Sequence, residues 1–184
     1  MAISRLNHAV LFVADLERSV AFYRGVLGFR RLPGGFTGAA FLQAPDSAND
    51  HDLGLFQSPR PSPTGVQGQV GLYHLAWEVR TLADLAQLRN RLAGAGALTG
   101  AGNHGSTKAV YAHDPDGIEF ELCWLVPDDA VAEELAPGTP PTRALDIEAE
   151  IARYGADTQT GTRSDQSCGS GSLAATGRTS SEPV

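Results

Sequence analysis

Cysteine is scarce in this 184-residue chain: two occur, Cys123 in a predicted core strand and Cys168 in a polar tail. Two distant cysteines with no CxxC pair make neither a disulfide framework nor a thiolate metal site, and they fit a reducing compartment. Positive charge is also short. With 14 Lys and Arg against 21 Asp and Glu the net charge is −7, which removes nucleic acid and anionic membrane as expected partners, because both select clustered cations. No hydrophobic run is long enough to span a bilayer, and the opening MAISRLNHAV has no basic segment followed by a long apolar one. A cytoplasmic protein is the expectation. What the chain does have is 42% hydrophobic residues, enough at this length for one compact domain with a real core.

Residues 3–13 alternate, with Leu6, His8, Val10 and Phe12 on one face, and read as a strand. Asp15 is placed to cap a helix running to Leu27. Its buried stripe is Leu16, Val20, Tyr23 and Leu27, and Gly28 is its left-handed stop. Residues 29–32, 36–43 and 51–57 then read as strands, giving a βαβββ module over 1–57. The Pro-, Gly- and Ser-rich residues 58–69 make a connector or a loop over a site.

The pattern then repeats. Residues 71–79, GLYHLAWEV, form a strand with His74 near its middle, as His8 is in the first. Thr81 caps a second helix with Leu82, Leu85, Leu88 and Leu92 inward and Gly94 and Gly96 at its end. A short strand near Ala97 and a hairpin over 107–125 complete a second module over 71–126. The predicted fold is α+β: paired βαβββ modules over 1–126, then an extension over 127–154 with short helices near 128–135 and from Ala144. Residues 155–184, rich in Gly, Ser and Thr, are expected to be disordered, since they have little apolar surface to offset ordering entropy.

The hairpin turns at Asp114-Pro115-Asp116-Gly117. This chemistry predicts a three-residue loop with a bulge, and a loop centred on Asp116 sets Tyr111 opposite Glu121 on one face of the sheet.

Gly102-x-His104, Val110-Tyr111, Asp114-Pro115-x-Gly117 and Glu121 together resemble the signature of type I extradiol ring-cleavage dioxygenases, within the vicinal-oxygen-chelate superfamily. The resemblance implies curved sheets around a metal cavity, Glu121 as an iron ligand, and His104 and Tyr111 beside the substrate. His8 and His74, at matching points of the repeat, complete a two-His, one-carboxylate set, which suits Fe(II) in oxygen-using enzymes, with Mn(II) the alternative. The strand beginning His51-Asp52 resembles the family's HDxxLF-like strand, which implies that His51 is the acid–base residue. His113 falls outside the signature and is read as structural. Catechol-type substrate, O2 and a second copy in a homodimer are the expected partners.

Each residue has a plainer reading: His8 or His74 as a satisfied strand histidine, Glu121 as a strand residue paired with Lys108, His51 as a loop-edge histidine. Two further activities stay open on the same fold. A glyoxalase-like lyase or fosfomycin-modifying transferase would use a glutamate on the strand that here has Gly54, which cannot ligate, and a metal-free binding protein would need no ligands.

Overall fold

The structure is a computed structural model that describes residues 3, 5–60 and 70–162. Most of the proline-rich connector, the rest of the tail and Cys168 lie outside the described residues.

Two four-stranded sheets share one plan. The first has β1 (Ala9–Val13), β2 (Arg30–Arg31), β3 (Ala39–Gln43) and β4 (Leu53–Gln57) in the order β1-β4-β3-β2. The second has β5 (Leu75–Glu78), β6 (Leu98–Asn103), β7 (Thr107–His113) and β8 (Glu119–Leu125) in the order β5-β8-β7-β6. In each, the first strand runs parallel to the last and the other pairs are antiparallel. Helices α1 (Leu16–Gly25) and α2 (Leu82–Gly94) follow the first strand of each module. The repeat read from the sequence is therefore a repeat of topology.

The local signals act as expected. Asp15 and Thr81 cap α1 and α2 by accepting from the backbone N–H three residues on. Gly28 and Gly96 take the left-handed conformation, φ 81° and 67°, where each chain leaves its helix. Leu16, Val20, Tyr23 and Leu27 are buried from the first helix and its exit, and Leu82, Leu85 and Leu92 from the second.

One core joins both modules. Tyr23 meets Phe29 and Phe120, Phe22 meets Phe120, and Phe29 meets Trp77. The β7–β8 turn docks on the start of α1. The Tyr23 hydroxyl donates to Asp114 Oδ2 at 3.2 Å, and Asp116 accepts from the Ala14 N–H at 2.9 Å and pairs with Arg18. Burial, with the Asp114 charge, pushes the Tyr23 phenol well up. The seam thus uses α1 and the turn, and leaves one face of each sheet open.

That arrangement corrects one expectation about the first strand. The face of Leu6, Val10 and Phe12 is exposed, by 77%, 53% and 69%, while Leu11 and Val13 enter the core. Alternation identified the two faces, but α1 covers the one whose side chains are Leu11 and Val13.

The extension is tied to the second sheet. It carries α3 (Val131–Glu134) and α4 (Ile147–Tyr154), and α4 packs on α2. Lys108, the one lysine of the sequence, is fully buried and donates to Glu134 at 2.8 Å, Asn103 Oδ1 at 3.0 Å and the Gly105 carbonyl at 3.2 Å. It is therefore no partner for Glu121. Glu134 also receives Arg143, Arg153 and the Tyr154 hydroxyl. Burial alone would raise the Glu134 carboxyl, but hydrogen bonds from Lys108 and Tyr154 and nearby positive charge hold it down at about 2. Asn103 and Arg143 exchange two backbone hydrogen bonds, both 2.9 Å. Residues 155–162, past Tyr154, also lie against the second module. The Trp124 indole donates to the Thr158 carbonyl at 3.1 Å, Thr160 N–H to the Arg80 carbonyl at 2.7 Å and Gly161 N–H to the Leu125 carbonyl at 2.9 Å. These polar groups on the second module give residues 155–162 backbone partners that their own composition could not supply.

Candidate metal centre

The turn produces the register that the site needs. Asp114 N–H donates to the Ile118 carbonyl at 3.0 Å, closing a three-residue loop centred on Asp116 with Gly117 at φ 81°. Tyr111 consequently pairs with Glu121. Along β8, Phe120, Leu122 and Trp124 are buried, so Glu119, Glu121 and Cys123 emerge on the open face.

His74 sits one residue before β5, whose Ala76 pairs with Glu121. Its Nε2 lies 3.1 Å from Glu121 Oε2. Two donors bound at right angles to one octahedral ion at about 2.1 Å each would stand about 3 Å apart, so this pair fits a shared metal. Nδ1 of His74 is buried with no hydrogen-bond partner, and the neighbouring Glu119 Oε1 is 3.6 Å away, beyond hydrogen-bond length.

Two other predicted residues join them. Tyr111 and His74 have ring centroids 6.0 Å apart, and the Tyr111 hydroxyl is 2.8 Å from His104 Nε2. Burial, then the charge of Glu121, pushes the Tyr111 phenol up to about 12, so it stays protonated at neutral pH. His104 folds back over Gly102: a Cβ there would lie 2.9 Å from its Nε2. Gly102 is the space that the imidazole occupies. Nδ1 of His104 is 3.1 Å from the Thr142 hydroxyl, so the extension reaches the site.

His8 and His51 stand together elsewhere. Their rings are 4.4 Å apart on the open face of the first sheet, and His51 packs edge-on against Phe41 at 4.9 Å. Among the described residues no three His, Cys, Asp or Glu side chains gather closely enough to hold one ion. The second sheet supplies His74 and Glu121, and the first carries His8 apart from them.

Register makes the two faces comparable. His8 and His74 each precede the first strand of their module. Val10 pairs with Gly54 where Ala76 pairs with Glu121, and Gly54 pairs with Phe41 where Glu121 pairs with Tyr111. His, Gly and Phe on one sheet therefore match His, Glu and Tyr on the other. A Cβ at Gly54 would meet Val10 at 3.4 Å and Phe41 at 3.5 Å, so aromatic and aliphatic groups fill the place of a second carboxylate.

Residues 5–122 match the family model described as the Glyoxalase/Bleomycin resistance protein/Dioxygenase superfamily. The chain belongs to that superfamily. Among superfamily relatives, it is 32% identical over 117 residues to Metapyrocatechase 2 of Cupriavidus necator, covering 61% of this chain and 34% of that protein. The chain thus spans about a third of that relative's length. It is 31% identical over 140 residues to the Lactoylglutathione lyase of Neisseria meningitidis, covering 72% of this chain and 99% of the lyase. A glyoxalase/bleomycin resistance/dioxygenase domain from Frankia sp. EAN1pec superposes with TM-score 0.57 at 25% identity, over 68% of this chain and all of that one. Two features of this superfamily member had no signal in its sequence: Glu119 beside His74, and Thr142 beside His104, 38 residues away.

Proposed function

We propose that the protein is an Fe(II)-dependent extradiol dioxygenase that opens a catechol-type ring next to its vicinal diol. The observation that carries this reading is the meeting of His74, Glu121, Tyr111 and His104 on one open sheet face, with Gly54 where a second carboxylate would stand. His74 and Glu121 would hold the ion with His8. Bound Fe(II) would supply a Lewis-acidic centre with open positions, which lowers the cost of ionising a catechol hydroxyl and admits O2. The Tyr111 hydroxyl donates a hydrogen bond to a substrate oxygen, and His104 holds that phenol in place. His51 gives up a proton as the ring opens, a task suited to imidazole at neutral pH.

His8 and His51 reach this centre from a second copy of the chain. The first sheet's open face carries both imidazoles with exposed Val10, Phe12 and Phe36, an apolar surface that α1 and the inter-module seam leave uncovered. Laid over the second sheet of a partner copy, it adds the missing imidazole to His74 and Glu121. A homodimer with two such centres follows. Mixing His8→Ala with Glu121→Ala, each inactive alone, restores up to a quarter of the centres if they form between copies. No recovery in a stable mixed dimer would contradict that arrangement.

A lyase of the same superfamily is the second reading, supported by similarity along the full length of the Neisseria protein. The two separate by assay. Oxygen uptake with catechols and no turnover of lactoylglutathione supports the dioxygenase, and the reverse result supports the lyase.

A further inference from the structure

We propose that Glu119 is the positioning residue of this centre, holding Nδ1 of His74 so that Nε2 turns toward the ion beside Glu121. The inference rests on the metal reading above. Glu119 leaves β8 on the same face as Glu121, two residues earlier. Its two carboxylate oxygens face two imidazoles: Oε1 is 3.6 Å from His74 Nδ1, and Oε2 is 3.7 Å from His113 Nε2. His113 is its pairing partner on β7 and is half exposed.

His74 shows why a holder is needed. A neutral imidazole has one N–H and one lone pair, and a metal takes the lone pair. The neighbour of the other nitrogen decides which is which. Nδ1 of His74 is shielded from water and has no hydrogen-bond partner, so an N–H there would stay unsatisfied unless Glu119 closes the last few tenths of an ångström. Once closed, the contact fixes the proton on Nδ1 and leaves the Nε2 lone pair directed to the ion. A carboxylate in this place also makes the imidazole a stronger donor. Glu119 lies outside the residues that carry the family resemblance.

The test is Mn(II) titration of the full chain followed by electron paramagnetic resonance, with the thermal midpoint of each metal-free protein recorded alongside. Glu119→Ala weakens Mn(II) binding by about 10- to 100-fold with little change in the metal-free midpoint. Glu119→Gln, which keeps an acceptor oxygen but no charge, falls between. Unchanged affinity in Glu119→Ala overturns the proposal. A second readout works without metal: the Nδ1–H of His74, seen in long-range ¹H–¹⁵N spectra, is slow to exchange in the wild type and fast in Glu119→Ala. Equal exchange in both overturns the contact. Failure of the wild type to take up Mn(II) or Fe(II) overturns the metal reading itself, and the exchange readout then decides the contact alone.

Discussion

The two sheets have the same strand order and the same parallel pairing, yet their open faces have diverged. Three register-matched positions hold His8, Gly54 and Phe41 on the first sheet and His74, Glu121 and Tyr111 on the second. Beside His74 the second has the Glu121 carboxylate and the Tyr111 phenol where His8 has Gly54 and Phe41, and a buried ionic anchor lies beneath its edge; the carboxylate near the first face, Asp50, is an exposed partner of His51 at 3.3 Å. The backbone positions a side chain over the sheet, but the residue type there decides whether that face coordinates or packs. One fold plan thus gives one face with a histidine, a carboxylate and a phenol together, and one largely apolar face carrying two imidazoles.

Removing the difference should produce the largest effect. Glu121→Gly makes the second face like the first, and it should weaken Mn(II) binding by more than the roughly 100-fold typical of losses outside the ligand set, taking turnover with it. Metal titration and O2 uptake check this. Next is the anchor. Glu134→Gln takes from the buried Lys108 its nearer carboxylate, leaving only Glu150 at 3.5 Å, and should cost about 3 kcal/mol by denaturant unfolding. The native Glu134 carboxyl is held at about 2, below its ordinary 4.5, so its contribution is fully present above pH 4.5 and is lost as pH falls toward 2. Acid unfolding of the wild type should steepen in that window, and Glu134→Gln should flatten it.

The reverse exchange, Gly54→Glu, gives the first face the carboxylate it lacks. The new side chain must displace Phe41 and Val10, at about 1–3 kcal/mol. It should also bind metal at least as tightly as the wild type while lowering catechol turnover by about tenfold or more, since a fourth protein ligand takes a position that substrate or O2 needs. The smallest effect belongs to Thr142→Val. It removes the hydroxyl from Nδ1 of His104 while keeping its bulk, and kcat should fall by about two- to tenfold with metal affinity unchanged. Thr142→Ser should restore it.

Much of this was legible in the sequence because it depends on local chemistry. Asp15, Thr81, Gly28 and Gly96 mark helix ends through their own backbone requirements, and the Asp114–Gly117 turn sets the pairing of Tyr111 with Glu121. The docking of the modules was less legible. Alternation in 3–13 separates His8, Val10 and Phe12 from Leu11 and Val13, but which set enters the core depends on where α1 lies. Long-range polar pairs left no periodic signal either. Lys108 and Glu134 are 26 residues apart, and neither residue type predicts full burial. The order of residues 155–162 likewise depends on the backbone of Arg80 and Leu125 and the indole of Trp124, none of which local composition reveals.

The central claim is that the second sheet's histidine and carboxylate bind an ion that turns a catechol toward O2. It is tested most directly by O2 uptake and visible absorbance of the anaerobically Fe(II)-loaded chain across catechols of increasing size. The account predicts one ion per chain, catechol-dependent uptake of one O2 per ring, and a yellow ring-opened product, all absent from Glu121→Gly. Stoichiometric iron with no uptake for any catechol would contradict the dioxygenase, and uptake that persists in Glu121→Gly would contradict the site.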